Sequence, residues 1–523
     1  MTLAERIAAI EAAASQPGGL ALRTVAQLTD GEPDLLRALE TAAIPFAWNA
    51  ALLSLILPPD LTPHADDLHQ RLVALSVCEP YLSRPGFSNV HEVTRQALRG
   101  KLHAEGTLSV HSARAFSACG EPSESDTPQQ RITRVYHHLL AAPEAGAEAL
   151  ETLYREWSKC GRWSDLLDLA AALEELLPHL APAARARALF RRACIRADRS
   201  PAPEIAAQVK ESAELFEQTG HQRGLAHALT RCGNLAVAQG DLAGAMRRFT
   251  DSHTILERLA ASDPANAAWQ RDLVVSHNKL GDLAVAQGDL PGALRRFTDA
   301  LRIAERLAAS DPANAEWQRD LSVAHNRLGD LAVAQGDMPG AMRRFTDALR
   351  IAERLAASDP ANAEWQRDLS VAHERLGNFA VAQGDMPGAM RHFAADLAIA
   401  ERLAASDPAN ATWQFDLGIT NERLGNLAVA QGKLDEARVF HTKRNGIIAK
   451  LAASDPANAE WQRDLYVSYW KLARLSEKDG KPADAKGWWC KAHDTLASMK
   501  QRGLHLSPED EGFLARLRAK VAD

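Results

Sequence analysis

Four sets of polar side chains recur along the chain at one spacing of 48 residues: Asn278, Lys279 and Asp282; Asn326, Arg327 and Asp330; Glu374, Arg375 and Asn378; Glu422, Arg423 and Asn426. Amides and guanidinium groups donate to carbonyls and carboxylates, and acids accept from N–H groups, so this chemistry is recognition rather than bond-making. Shallow apolar side chains accompany them: Val275 and Val285, Val323 and Val333, Val371 and Val381, Ile419 and Val429. The competing reading is that the charges neutralise one another between adjacent helices. His277, His325 and His373 keep the same 48-residue spacing. Neighbouring helical repeats lie ~10 Å apart, too far for shared metal ligands, so a packing or capping role is expected. The chain contains no HExxH, GxSxG or CxxC motif and no glycine-rich nucleotide loop. No catalytic set, cofactor or metal is expected, and the chain is read as non-enzymatic.

These side chains must be held by the repeat itself. Trp269, Trp317, Trp365, Trp413 and Trp461 mark its register, and the stretch Gln270–Trp317 differs from Gln318–Trp365 at only five positions. From Trp317 to about Gln335 apolar residues fall at 317, 321, 324, 328 and 331, one stripe of a helix. Gly336 ends it, and a second helix starts at Met338 with Pro339 in its first turn. Asp359 before Pro360 breaks that helix. Each Trp is expected to be buried between consecutive repeats.

The pattern Leu328-Gly329, Gly336, Ala341-x₃-Phe345, Ala348 and Pro360 resembles the tetratricopeptide repeat, a helix–turn–helix unit of 34 residues. Six copies span about residues 221–495; His441 replaces the aromatic in the fifth and Ala473 the first glycine in the sixth. The extra 14 residues per copy correspond to about seven in each helix, close to two turns, so the apolar face keeps its direction to within ~20°. The resemblance implies an all-α, right-handed solenoid whose first helices line a concave groove. The twelve recurring polar residues are therefore the candidate partner-binding set, with a protein or peptide as ligand.

Residues 1–120 read differently. "FAWNAALLSLIL" and "ADDLHQRLVALSVC" suggest helices, Pro85-Gly86 suggests a hairpin, and "HEVTRQALRGKL" suggests a further helix. Over about residues 40–102 this order resembles the winged-helix domain of STAND-type signalling ATPases, but the chain has no GxxxxGK[ST] phosphate loop. Gly120–Pro128 reads as a linker, 121–220 as irregular helical pairs, and 496–523 as a capping helix opened by Ser507 and Pro508.

The 523 residues are too many for one core. With 67 acidic against 60 basic residues the net charge is −7, which argues against nucleic acid and membrane partners. The first 14 residues lack the apolar run of a secretory leader, and six scattered cysteines suit a reducing cytoplasm. The sequence thus predicts a cytoplasmic scaffold, adaptor or sensor, by analogy in a bacterial signalling or defence assembly. Two alternatives stand beside it: a DNA-binding regulator with a ligand-sensing array, and an enzyme with an unrecognised site in residues 1–220. The oligomeric state is left open.

Overall fold

The computed structural model describes residues 18–81, 85–123, 125–160, 162–197, 203–456, 458–504 and 506–522; the reading of the first 14 residues lies outside them. Among the described residues the only sheet is one two-stranded hairpin, and the rest of the regular structure is helical. No helix among them is long and apolar enough to cross a membrane. The described residues divide into two compact parts, one within 18–157, 164–196 and 203–228, the other within 158–163, 197 and 229–522.

In the first part, the helices Ala50–Ile56 and Ala65–Val73 precede an antiparallel hairpin of Cys78–Pro80 with Ser88–Val90, and Glu92–Ala104 follows. This is the expected order. Gly86, at φ +81°, supplies the left-handed turn residue. Trp48 and Ser88 exchange both backbone hydrogen bonds at 2.8 Å, which ties the hairpin to the chain before Ala50–Ile56. Arg95 and Arg99 are buried and meet Glu175, which also accepts a 2.6 Å hydrogen bond from the Tyr136 hydroxyl. A buried guanidinium needs such a partner, because desolvation alone would cost several kcal/mol. The polar stretch before Pro128 is pinned rather than free: Asp126 pairs with Arg134 at 2.7 Å, and Thr127 with Gln130 forms a capping box on the helix Pro128–Ala141.

The second part consists of helix pairs. The A helices of the second to sixth repeats are Ala267–Ala286, Ala315–Ala334, Ala363–Ala382, Ala411–Ala430 and Ala459–Lys478. Their B helices are Leu290–Ser310, Met338–Ser358, Met386–Ser406, Leu434–Ser454 and Pro482–Gln501. The first repeat contributes the B helix Leu242–Ser262. Short motifs fix both boundaries. In "SDPAN" the Asn side chain caps the A helix: Asn314 accepts from the Trp317 N–H at 3.3 Å, as Asn266, Asn362, Asn410 and Asn458 do for their own Trp. In "QGD" the glycine takes φ +79° at Gly336, and Asp337 then caps the B helix by accepting from Gly340 N–H at 2.9 Å. Lys433 stands at the Asp position of the fifth repeat, and there the side-chain cap is missing.

Within a repeat, A and B helices close on the glycine–phenylalanine contact. A Cβ added at Gly329 would stand 2.5 Å from the Phe345 ring, and the same crowding recurs at Gly281 with Phe297 and Gly377 with Phe393. Between repeats, Trp317 packs on the cluster of Val274, Ala300, Ile303, Ala304 and Leu307, together with Leu321. The location is as expected but the burial is not. Among the five, Trp413 is buried, while Trp269, Trp317, Trp365 and Trp461 are half-buried. The helix Pro508–Ala522 packs Leu514 and Leu517 into the core of the sixth repeat, and Ser507 caps it by accepting from Asp510 N–H at 3.1 Å.

Candidate functional site

The recurring polar residues form a ladder that runs from one A helix to the next. Arg327 reaches back to Asp282 at 2.9 Å, Arg375 to Asp330 at 3.0 Å and Arg423 to Glu374 at 3.4 Å. Asn378 donates to Glu374 from one turn away at 3.1 Å, and Lys471 of the sixth repeat bonds both Glu422 and Asn426. The alternative reading, in which the charges neutralise one another between adjacent helices, describes these pairs: each base meets the acid 45 or 49 residues earlier, because consecutive A helices lie side by side.

Most of these groups stay at the surface, with Asp282 and Asp330 side chains 40% and 48% exposed. Asn278 and Asn326 differ. Both are buried, where surface amides were expected, and among the described residues neither Oδ1 has a hydrogen-bond partner. Lys279 has its charge disfavoured by burial, opposed by nearby Asp282. Burial likewise raises the carboxyls of Asp282 and Asp330, against the pull of Arg327 and Arg375. On the same face Val275, Val285 and Val381 are exposed. The face therefore combines half-exposed ion pairs with an apolar row, which suits weak, extended contact.

A second ladder, missed in the sequence, runs the other way near the start of each A helix. Arg271 pairs with Asp320 at 2.5 Å and Glu316 at 2.8 Å, Arg319 with Asp368 and with Glu364 at 2.6 Å, and Arg367 with Asp416 at 2.5 Å. Gln318 bridges three helices: its amide donates to Ala308 O of the preceding B helix at 3.3 Å and accepts from Arg354 of its own B helix at 2.6 Å. Gln270 and Gln366 repeat the arrangement. The signal was present in the recurring "WQRD", but it needed the geometry of three helices to be read.

The recurring histidines are packing residues. His277 stands 4.6 Å from the His253 ring, His325 lies 3.3 Å from Arg344, and His373 lies 3.2 Å from His392. Burial lowers His277 and His373 to about 4, so both are neutral at pH 7. Among the described residues no group of three or more His, Cys, Asp or Glu is arranged to hold a metal ion.

The tetratricopeptide repeat family model matches residues 237–287, 285–337 and 340–384, and this stretch carries tetratricopeptide repeats. Among solved structures, the chain is similar to a signal transduction ATPase with numerous domains that has a tetratricopeptide repeat sensor, from Pyrococcus horikoshii: 11% identity, 92% of this chain and 70% of that one, TM-score 0.45. It is similar to a Rap protein complexed with competence and sporulation factor at 11% identity over 78% of this chain and 97% of that one, TM-score 0.45. It is similar to BtubC from P. vanneervenii at 21% identity over 51% and 94% of the two chains, TM-score 0.40. No curated protein matches in sequence.

Proposed function

We propose that the repeat array is a non-enzymatic docking surface for a protein or peptide partner, which lies along the ladder face of the A helices. The observation that carries this reading is the coincidence, on one face, of exposed Val275, Val285 and Val381 with half-exposed ion pairs repeated along the array. A binding face gains apolar contact from such valines and orientation from the charges. Nearest-neighbour stacking lets such a surface be lengthened by adding copies, which supports a role in which extent matters. The service of a larger signalling or defence assembly in the cytoplasm belongs to the same proposal.

A photo-crosslinking residue at 285 or 381, compared with one at 302 or 350 on the B helices, tests it. Arg302 and Arg350 are exposed, and each pairs with an acid of its own helix. The expected outcome is one crosslinked protein partner from positions 285 and 381 and none from 302 and 350. Equal crosslinking from all four positions would remove the case for this face.

A further inference from the structure

The sixth A helix departs from the repeat on one face. Where the second to fifth repeats carry Val274, Ser322, Ser370 and Gly418, it has Tyr466; in place of Asn278, Asn326, Glu374 and Glu422 it has Trp470; in place of Asp282, Asp330, Asn378 and Asn426 it has Arg474. They stand four positions apart, so the three lie along one face of the helix. With Phe513, Arg516 and Lys520 of the helix Pro508–Ala522, they line a cavity of about 450 Å³. That volume is within the range of small-molecule sites, ~300–1,000 Å³.

Packing accounts for Tyr466, which is buried and bonds Asp510 through its hydroxyl. It does not account for the other two. Trp470 is 37% exposed, with its ring edge-on to Phe513 at 6.5 Å. Arg463 is paired with Asp510 and Lys520 with Glu477, but among the described residues Arg474 and Arg516 form no ion pair. Glu477, the acid whose charge Arg474 senses, already accepts from Lys520 at 2.6 Å and from Trp489 Nε1 at 3.0 Å. Arg516 lies over the Phe513 ring at 5.6 Å. The cavity walls hold four cationic side chains against two acidic ones, Glu509 and Asp510.

We propose that this cavity binds a small aromatic monocarboxylate, its ring against Trp470 and Phe513 and its carboxylate held by Arg474 and Arg516. Rings supply stacking area, and guanidinium groups bind a planar carboxylate with two parallel hydrogen bonds. The small surplus of positive charge suits one negative charge and not a polyphosphate. This site is independent of the docking face proposed above, and it can be tested with no protein partner present.

The probe is 4-fluorophenylacetate observed by fluorine NMR with the full chain, beside the neutral 4-fluorophenylacetamide. Saturable broadening is expected for the acid and not for the amide. The variants Trp470→Ala and Arg474→Gln/Arg516→Gln each weaken binding about tenfold or more, while Arg350→Gln leaves it unchanged. Trp470, Arg474 and Arg516 are exposed, so circular dichroism is expected to match the parent. A tripeptide ending in free phenylalanine separates the two sources of this chemistry: binding of the free acid alone identifies a small metabolite, and binding of both identifies a chain terminus as a second source. Equal binding of acid and amide, no binding of either, or binding insensitive to both variants overturns the proposal.

Discussion

Asp396 sits where the second and third repeats have Ala300 and Ala348. It is 2% exposed, and its partners are the hydroxyls of Ser370 and Thr420 rather than a cation. Burial lifts its carboxyl to about 6, opposed by those two hydrogen bonds. Because the folded value exceeds the unfolded one, folding takes up a proton: the group is least costly below about pH 4, and stability falls as pH rises to about 6 and stays reduced above. Asp396→Ala is therefore expected to be more stable than the parent at pH 7.5 by about 1–3 kcal/mol, with the difference shrinking towards pH 4. Ser370 need not be orphaned, since Ser322 in the third repeat bonds Ala348 O instead. Thermal midpoints followed by circular dichroism across pH 4–7.5 check this; a pH-independent difference would contradict it. Glycines give a second test, because two of them should respond with opposite signs. Gly329→Ala drives a methyl into Phe345 and is expected to cost about 1–3 kcal/mol. Gly487, exposed in a helix with open space around it, should gain about 0.5–1 kcal/mol on change to Ala. Urea midpoints of the two variants decide. The glycine–aromatic contact was legible from the repeat pattern; the buried carboxylate was not, since a single Asp where neighbouring repeats carry Ala reads as a solvated charge.

At the scale of the helix pair, the periodicity gave both helices and their boundaries closely: Ala315–Ala334 and Met338–Ser358 against expected starts at Trp317 and Met338. It failed on partners. Neutralisation between adjacent helices was legible as an alternative for the set holding Asp282 and Arg327, but a helical wheel does not show how far one A helix stands from the next, so the individual partners, and the pair of Arg271 with Asp320 altogether, stayed hidden. The ladder pairs are half-exposed and screened, which limits what each contributes. A double-mutant cycle on Arg327→Gln and Asp282→Asn is expected to give a coupling of at most ~1 kcal/mol. A larger coupling would mean that the face is built for stability rather than for a ligand.

For the whole molecule, interchangeable repeats are the strongest consequence of the near-identity of neighbours. Deleting Gln318–Trp365 joins Trp317 to Gln366 in register, and each lost contact has a replacement. Arg271 keeps Glu316 and gains Asp368, Asp282 meets Arg375, and the Gln366 amide reaches Ala308 O. The shortened chain is expected to remain soluble and helical by circular dichroism; aggregation would show that position along the array matters. Residues before the array were legible only as an order of elements. Their core, with Arg99, Glu175 and Tyr136 drawn together from positions 37 to 76 residues apart, had no repeating signal to announce it. The central claim, that the ladder face captures a partner, is tested most directly by titrating the crosslinked partner against two triple variants. Arg327→Gln/Arg375→Gln/Arg423→Gln removes the bases of the face, and Arg302→Gln/Arg343→Gln/Arg350→Gln removes three exposed bases of the B helices. With lost charge-assisted hydrogen bonds worth ~1.5–3 kcal/mol each, the first triple is expected to weaken binding at least a hundredfold and the second to leave it within about twofold. Loss of binding in the second triple, with the first unaffected, would contradict the account and move the working surface to the B helices.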